Sequence, residues 1–340
     1  MTVSGASPLL KVTDLRVRFA TPYGRVEAVS GVSFTIGAGE TVTLVGESGC
    51  GKSVTALSIM RLLDTTAAPG GSIAFQGRNL LELSEEEMRG IRGRDIAMVF
   101  QDPMTSLDPL YTVGNQITEA LRSHGSVRRD EAHRRAVELL REVRLPDAER
   151  LVRAYPHELS GGQRQRIMIA IGLACSPALL IADEPTTALD VTVEAEILQL
   201  LRRLQDKFGM ALLLVTHDMG VVAEMADRLV VMYAGKVVEQ GRPEQAFTDP
   251  QHPYTQALFQ SIPQATTDRD QPLPAITGAV PRLHEMPDGC RFHPRCGHVM
   301  ERCRTGEPPL LQVGGGRQSR CWLRAPDPAP GDTSDRRADS

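Results

Sequence analysis

No stretch of this 340-residue chain is apolar for long enough to cross a bilayer: the longest run, IMIAIGLACSPALLIA, is broken by Ser176 and Pro177. The opening segment, MTVSGASPLLKVTDL, lacks an apolar core behind a basic start and does not read as a signal peptide. Charge of one sign is also lacking. A formal net charge of −4 gives no reason to expect a nucleic-acid partner. Cysteine is scarce, with six in all. Cys50 and Cys175 stand alone and the other four crowd into the last sixty residues. These absences point to a cytoplasmic protein. In a reducing compartment such a cysteine group is expected to hold metal rather than form disulfides. What remains is a globular composition, 41% hydrophobic and 24% charged, enough for two domains or for one large domain with an appendage.

β-rich runs alternate over residues 9–43, in LKVTDLRVRF, VEAVSGVSFTI and ETVTLVG, and the pattern turns helical over 52–63. SIAF and IAMVF read as further strands with the helical SEEEMRGI between them. Charged helical periodicity fills 112–143 and interrupts the series as a separate lobe. The series then resumes with ALLIADEP as a strand, 191–208 as a helix, MALLLVTHD as a strand and LVVMYAGKVVEQG as two short strands. Strands alternating with helices predict an α/β fold, a mainly parallel sheet covered on both faces. After Gln240 the composition shifts toward Pro, Gln, Thr and Asp, and the closing APDPAPGDTSDRRADS is expected to be disordered.

GESGCGKS, residues 46–53, fits G-x-x-x-x-G-K-[S/T] and stands between a strand and a helix, where a phosphate-binding loop must stand. Gly46, Gly49 and Gly51 allow the tight turn that aims backbone N–H groups inward, those of Ser48 and Cys50 included. Lys52 is expected to neutralise the β- and γ-phosphates of ATP, and the Ser53 hydroxyl to ligate Mg²⁺. In ALLIADEP four apolar residues lead to Asp183 and Glu184 at the strand's C-terminal end, where α/β sheets bind ligands. Asp183 suits Mg²⁺. Glu184 is placed to orient and deprotonate the attacking water.

A second anion cradle follows. LSGGQ, residues 159–163, opens a helix, and Ser160, Gly161 and Gly162 there present N–H groups to a phosphate. A chain with one phosphate loop needs two cradles only if another copy supplies the opposite side of each nucleotide. On these motifs residues 9–260 resemble the ATP-binding-cassette (ABC) ATPases. That family's fold is a RecA-like parallel-sheet core with an antiparallel β region and a helical lobe, here about 102–176. The resemblance implies a head-to-tail dimer, with ATP between one subunit's phosphate loop and the other's Ser160–Gln163 signature. It also assigns Gln101 in VFQDP as the Q-loop residue sensing Mg²⁺ and water. Asp190 in TALD would be the D-loop residue and His217 in VTHDM the switch histidine at the γ-phosphate. Tyr23 in TPYG would be the aromatic that stacks on adenine, although an ordinary turn residue fits that place nearly as well.

The strings TVTLVGESGCGKS, AMVFQDPMTSLDPLYTVGNQI and DPQHPYTQALFQSIP, followed by CRFHPRC, resemble the ATPase subunits of oligopeptide and dipeptide importers. That resemblance implies an ATPase at the cytoplasmic face of a membrane. Its partners would be two permease subunits, a second and related ATPase subunit as a heterodimer, and indirectly an extracytoplasmic substrate-binding protein. Import of nickel or another small solute is the alternative. Two further readings are a soluble cassette ATPase acting on ribosomes or nucleic acid, and a nonhydrolytic redox-sensing regulator, the latter disfavoured by Glu184 and the intact LSGGQ.

Residues 261–324 form a Cys-rich extension in this reading, with 325–340 as its tail. Cys290, Cys296, Cys303 and Cys321 are separated by five, six and seventeen residues, without the C-x₂-C knuckles of structural zinc. Four thiolates are the usual ligand set of a [4Fe–4S] cluster. Eight arginines against four acids over 282–324 would offset its negative charge. The resemblance adds support, since some peptide-importer ATPases carry such a cluster. Zinc held with His284, His293 or His298 is the runner-up, and unligated thiols come third. The extension is expected to lie away from the phosphate loop, so that losing Cys296 would leave ATP binding largely intact.

Overall fold

The structure is a computed structural model that describes residues 7–22, 24–125, 127–187, 189–261 and 276–326. Tyr23 and most of the expected tail lie outside the described residues. The strands are β1 (Leu10–Thr21), β2 (Gly24–Ile36), β3 (Thr41–Val45), β4 (Ala67–Phe75), β5 (Arg78–Asn79), β6 (Ile96–Val99), β7 (Leu179–Asp183), β8 (Ala211–Thr216), β9 (Arg228–Tyr233), β10 (Lys236–Gly241), β11 (Leu311–Gln312) and β12 (Gln318–Ser319). The helices are α1 (Lys52–Met60), α2 (Glu85–Ile91), α3 (Pro103–Ser106), α4 (Val113–Ser123), α5 (Arg129–Glu142), α6 (Ala148–Leu151), α7 (Gly161–Gly172), α8 (Val191–Phe208), α9 (Met219–Met225), α10 (Pro243–Thr248), α11 (Pro253–Gln260) and α12 (Glu301–Thr305).

β3, β7 and β8 are buried at every position, which is why they read as unbroken apolar runs rather than alternating ones. They lie inside an eight-stranded sheet of order β11-β12-β10-β9-β3-β8-β7-β6. From β9 to β6 the pairs are parallel, as the alternation of strands and helices requires. β1, β2, β4 and β5 form a separate four-stranded antiparallel sheet. α8 turns Ile197, Leu201 and Leu204 inward on one stripe and begins at an Asp190 cap, whose Oδ1 accepts from the Thr192 and Val193 N–H groups. α4, α5 and α7 bury Ile117, Leu139, Leu140 and Ile167 together as the core of the helical lobe. The single periodic stretch at 112–143 is two helices, α4 and α5, with Gly125 between them.

The Cys-rich extension departs from expectation. It is stitched into the main sheet: β12 pairs antiparallel with β10 through Glu239↔Ser319 and Gln240↔Gln318, and β11 pairs with β12. Phe292 is buried against Tyr233 and Tyr254, so the extension shares a core cluster with β9 and α11. No described helix is long and apolar enough to cross a membrane.

Candidate active site

Four parallel strands end side by side, and each C-terminal end delivers part of the site. β3 runs into the 46–53 loop, β8 into His217, β7 into Asp183 and Glu184, and β6 into Gln101. The loop's turn rests on glycine at two places in particular. A Cβ at Gly46 (φ 154°) would fall well inside contact distance of the Met232 carbonyl oxygen, and one at Gly51 (φ 102°) would press on the Ala28 carbonyl at 3.0 Å. α1 begins directly after Gly51, so its unpaired N–H groups face the loop.

Lys52 is buried, and its Nζ donates to the Gly46 carbonyl at 2.7 Å and the Glu47 carbonyl at 3.2 Å. The same nitrogen lies 4.0 Å from Glu184 Oε1. Glu184 is the meeting point of the site. Its Oε1 is 3.3 Å from His217 Nδ1, while Oε2 accepts from Gln101 Nε2 and from Thr187 Oγ1, each at 3.0 Å. Its backbone takes a left-handed φ of 46°, unusual for a residue with a side chain, and its N–H donates to the Val215 carbonyl at 2.9 Å. Ser53 Oγ donates to Asp183 Oδ1 at 3.1 Å. Burial raises the Asp183 carboxyl above its ordinary value, and the Ser53 hydrogen bond works against that shift. A hydroxyl and a buried carboxylate so paired form a donor set that suits a hard divalent cation.

Lys52, Gln101, Glu184, Thr187 and His217 line a cavity of about 670 Å³ together with Ser48, Gly49, Gly51 and Ser53, while Asp183 is not part of that lining. The signature residues do not line it. Ser160 instead caps α7, accepting from the Gln163 N–H at 3.3 Å while Gln163 Oε1 accepts from the Ser160 N–H at 3.0 Å. Gly161 and Gly162 stand beside Leu189 and Val193, and a Cβ at Gly162 would come within 2.9 Å of Val193 Cγ1. Ser160, Gly161, Gly162, Gln163 and Asp190 thus form a second surface of the chain, separate from the cavity that holds Lys52. Cys50 is buried, and burial pushes its thiol up to about 11.

Residues 29–187 match the family described as ABC transporter, and residues 238–303 match the oligopeptide/dipeptide transporter C-terminal region. The chain belongs to the ATP-binding proteins of ABC transporters. It is 53% identical over 319 residues to the "Probable peptide ABC transporter ATP-binding protein" of Sinorhizobium fredii, covering 93% of this chain and 95% of that one. It is 50% identical to the oligopeptide transport ATP-binding protein AppD of Bacillus subtilis, covering 93% and 97%. Among solved structures, a dimeric ATP-binding cassette in a post-hydrolysis state bound to ADP and Pi superposes with a TM-score of 0.62. Its identity is 30%, and the match covers 69% of this chain and 98% of that one.

As an ABC cassette the chain is an ATPase, and its two separated surfaces suit a dimer in which each subunit offers one to the other. The sequence missed several groups in and around the cavity. Thr187 holds Glu184 and was legible only as part of TTALD, while Phe19, Ala28 and Leu283 carry no motif at all. In the extension, Cys290, Cys296, Cys303 and Cys321 line one small cavity with His252, His293 and His298. Burial pushes the Cys290 thiol up to about 11 and raises those of Cys296 and Cys321, with neighbouring thiols adding to the effect. Among the described residues no three such side chains close around a point as the ligands of a single ion would. His284 is outside this cavity's lining.

Proposed function

We propose that the chain is the ATP-binding and hydrolysing subunit that powers an importer of dipeptides or oligopeptides. The observation that carries the catalytic part is the convergence of Lys52, Gln101, Thr187 and His217 on Glu184 at the rim of the phosphate loop. The names of the relatives and the match of the C-terminal region support the peptide class.

In this reading the 46–53 loop and Lys52 bind the triphosphate, and Glu184 accepts the proton of the attacking water. His217 and Gln101 hold Glu184 and that water in line. The Ser53 hydroxyl and Asp183, with Gln101, would hold Mg²⁺, which supplies charge neutralisation at the phosphate oxygens. Ser160–Gln163 and Asp190 of one cassette complete the cavity of a second, so ATP closes the pair and hydrolysis releases it. The second cassette is a related subunit in a heterodimer. Two permease subunits receive the motion at the cytoplasmic face of the membrane, and an extracytoplasmic binding protein supplies the peptide.

Cys290, Cys296, Cys303 and Cys321 would hold a [4Fe–4S] cluster. Four thiols lining one cavity are the kind of donor set such a cluster takes. The test of the whole reading is reconstitution with the permeases in vesicles. ATP hydrolysis should rise when a peptide-loaded binding protein is enclosed. Hydrolysis indifferent to permease and peptide would overturn the importer assignment.

A further inference from the structure

The ATP cavity has one lining residue that the cassette core does not supply. Its apolar lining, suited to a purine face, is Phe19 of β1, Ala28 of β2, Val54 of α1 and Leu283 of the C-terminal extension. Leu283 is 37% exposed, although its side chain is apolar. Twelve residues further on, Arg295 reaches the loop itself. Its side chain is only 4% exposed, and it grips Glu47 with both ends of the guanidinium, Nη1 to Oε2 at 2.7 Å and Nη2 to Oε1 at 3.0 Å. The remaining donors are also used: Nε to the Thr277 carbonyl at 2.9 Å, Nη2 to the Ile276 carbonyl at 3.3 Å and Nη1 to the Tyr233 hydroxyl at 3.4 Å. From the same side, the Tyr254 hydroxyl accepts from the Glu47 N–H at 2.8 Å. Glu47 is the second residue of the GESGCGKS loop, and Lys52 Nζ donates to its carbonyl. A side chain held by a bidentate pair, with its own backbone N–H also fixed, leaves the loop little freedom to open.

We propose that the segment from Ile276 to Cys296 is a working part of the nucleotide site. Leu283 packs on the base of bound ATP, and Arg295 is a positioning residue that holds the phosphate loop in its binding shape through Glu47. The inference rests on the reading of this cavity as the ATP site. Arginine is required at 295 because only a planar fork serves two carboxylate oxygens and two carbonyls at once, so lysine is not an equivalent.

The two roles separate by ligand. With full-length protein and Mg²⁺, affinities for ATP and for inorganic triphosphate are measured by calorimetry. Leu283→Ser should weaken ATP about five- to tenfold, the scale of one lost apolar contact, and leave triphosphate unchanged. Arg295→Met should weaken both ligands by a similar factor, about tenfold. Arg295→Lys should not restore them. Glu47→Gln approaches the pair from the core side, and Arg295→Met added to it should cost little more, as a coupled pair requires. The inference is overturned if Leu283→Ser leaves ATP affinity unchanged or weakens both ligands alike. It is equally overturned if Arg295→Met lowers Tm while ATP and triphosphate bind as before, since the pair is then only a fold staple. A wild-type protein that binds no ATP would instead sink the reading of the site.

Discussion

Glu184 occupies a strained backbone position and touches four other side chains of the site, so its neighbours decide what it does. Glu184→Gln keeps the shape and removes the proposed base. Hydrolysis should fall by about 10²–10⁴ while ATP still binds, read as turnover against nucleotide retention, and the closed dimer should accumulate. Wild-type turnover in that variant would remove Glu184 from the mechanism. Lys52→Ala differs, because the lost charge faces ground-state phosphates, and it should weaken ATP binding itself. Thr187→Val removes one of the two hydrogen bonds to Glu184 Oε2 and should lower kcat several-fold with little change in ATP affinity, since one neutral hydrogen bond contributes about 0.5–1.5 kcal/mol. Gly46→Ala should abolish nucleotide binding for a steric reason: its Cβ has no room beside the Met232 carbonyl.

At the scale of elements, the helical lobe carries exposed apolar side chains within ten residues of Gln101 in the chain. Met104 lies on α3, and Leu110 and Tyr111 lie between α3 and α4. If they form one patch, such side chains suit the helices of a partner subunit. Leu110→Asp, exposed and outside the lobe's core, should lower transport in reconstituted vesicles while hydrolysis by the isolated subunit stays near wild type. Equal losses in both assays would make the lobe a folding support only. The elements themselves were largely readable. β3, β7 and β8 announce themselves as apolar runs because both faces are covered, and α8 follows its periodic stripe across the full expected span. The 112–143 stretch was harder, since α4 and α5 share one periodicity and only Gly125 marks the break between them.

At the scale of the molecule, the extension is packed into the cassette through β12 and Phe292 rather than set apart from it. The extension does not lie away from the phosphate loop as expected: Cys296 follows Arg295, which grips Glu47 of that loop. Cys296→Ser should therefore lower iron and sulfide content and weaken ATP binding together, measured on one anaerobic preparation. Full ATP affinity in iron-free protein would uncouple the two. The wild-type protein, purified anaerobically, should be brown and contain iron and sulfide. Colourless protein with stoichiometric zinc would overturn the cluster.

The sequence by itself determined what is local in chain or in chemistry. Gly46 to Ser53 specify a phosphate loop because backbone geometry and charge there follow from adjacent residues. Asp183 with Glu184, and Ser160 to Gln163, are legible for the same reason. The tertiary structure decided what depends on neighbours distant in the chain. Parallel strand order places β8 between β3 and β7, and so brings His217 and Gln101 to the same carboxylate from positions more than a hundred residues apart. Leu283 reaches the cavity, and Arg295 reaches Glu47 of the phosphate loop, with β12 bound to the edge of β10 and Phe292 in the core beside Tyr254. No periodicity or motif records those contacts. A single leucine or arginine in a Pro- and Gly-rich segment carries no pattern of its own, and its role is set by what the fold lays against it.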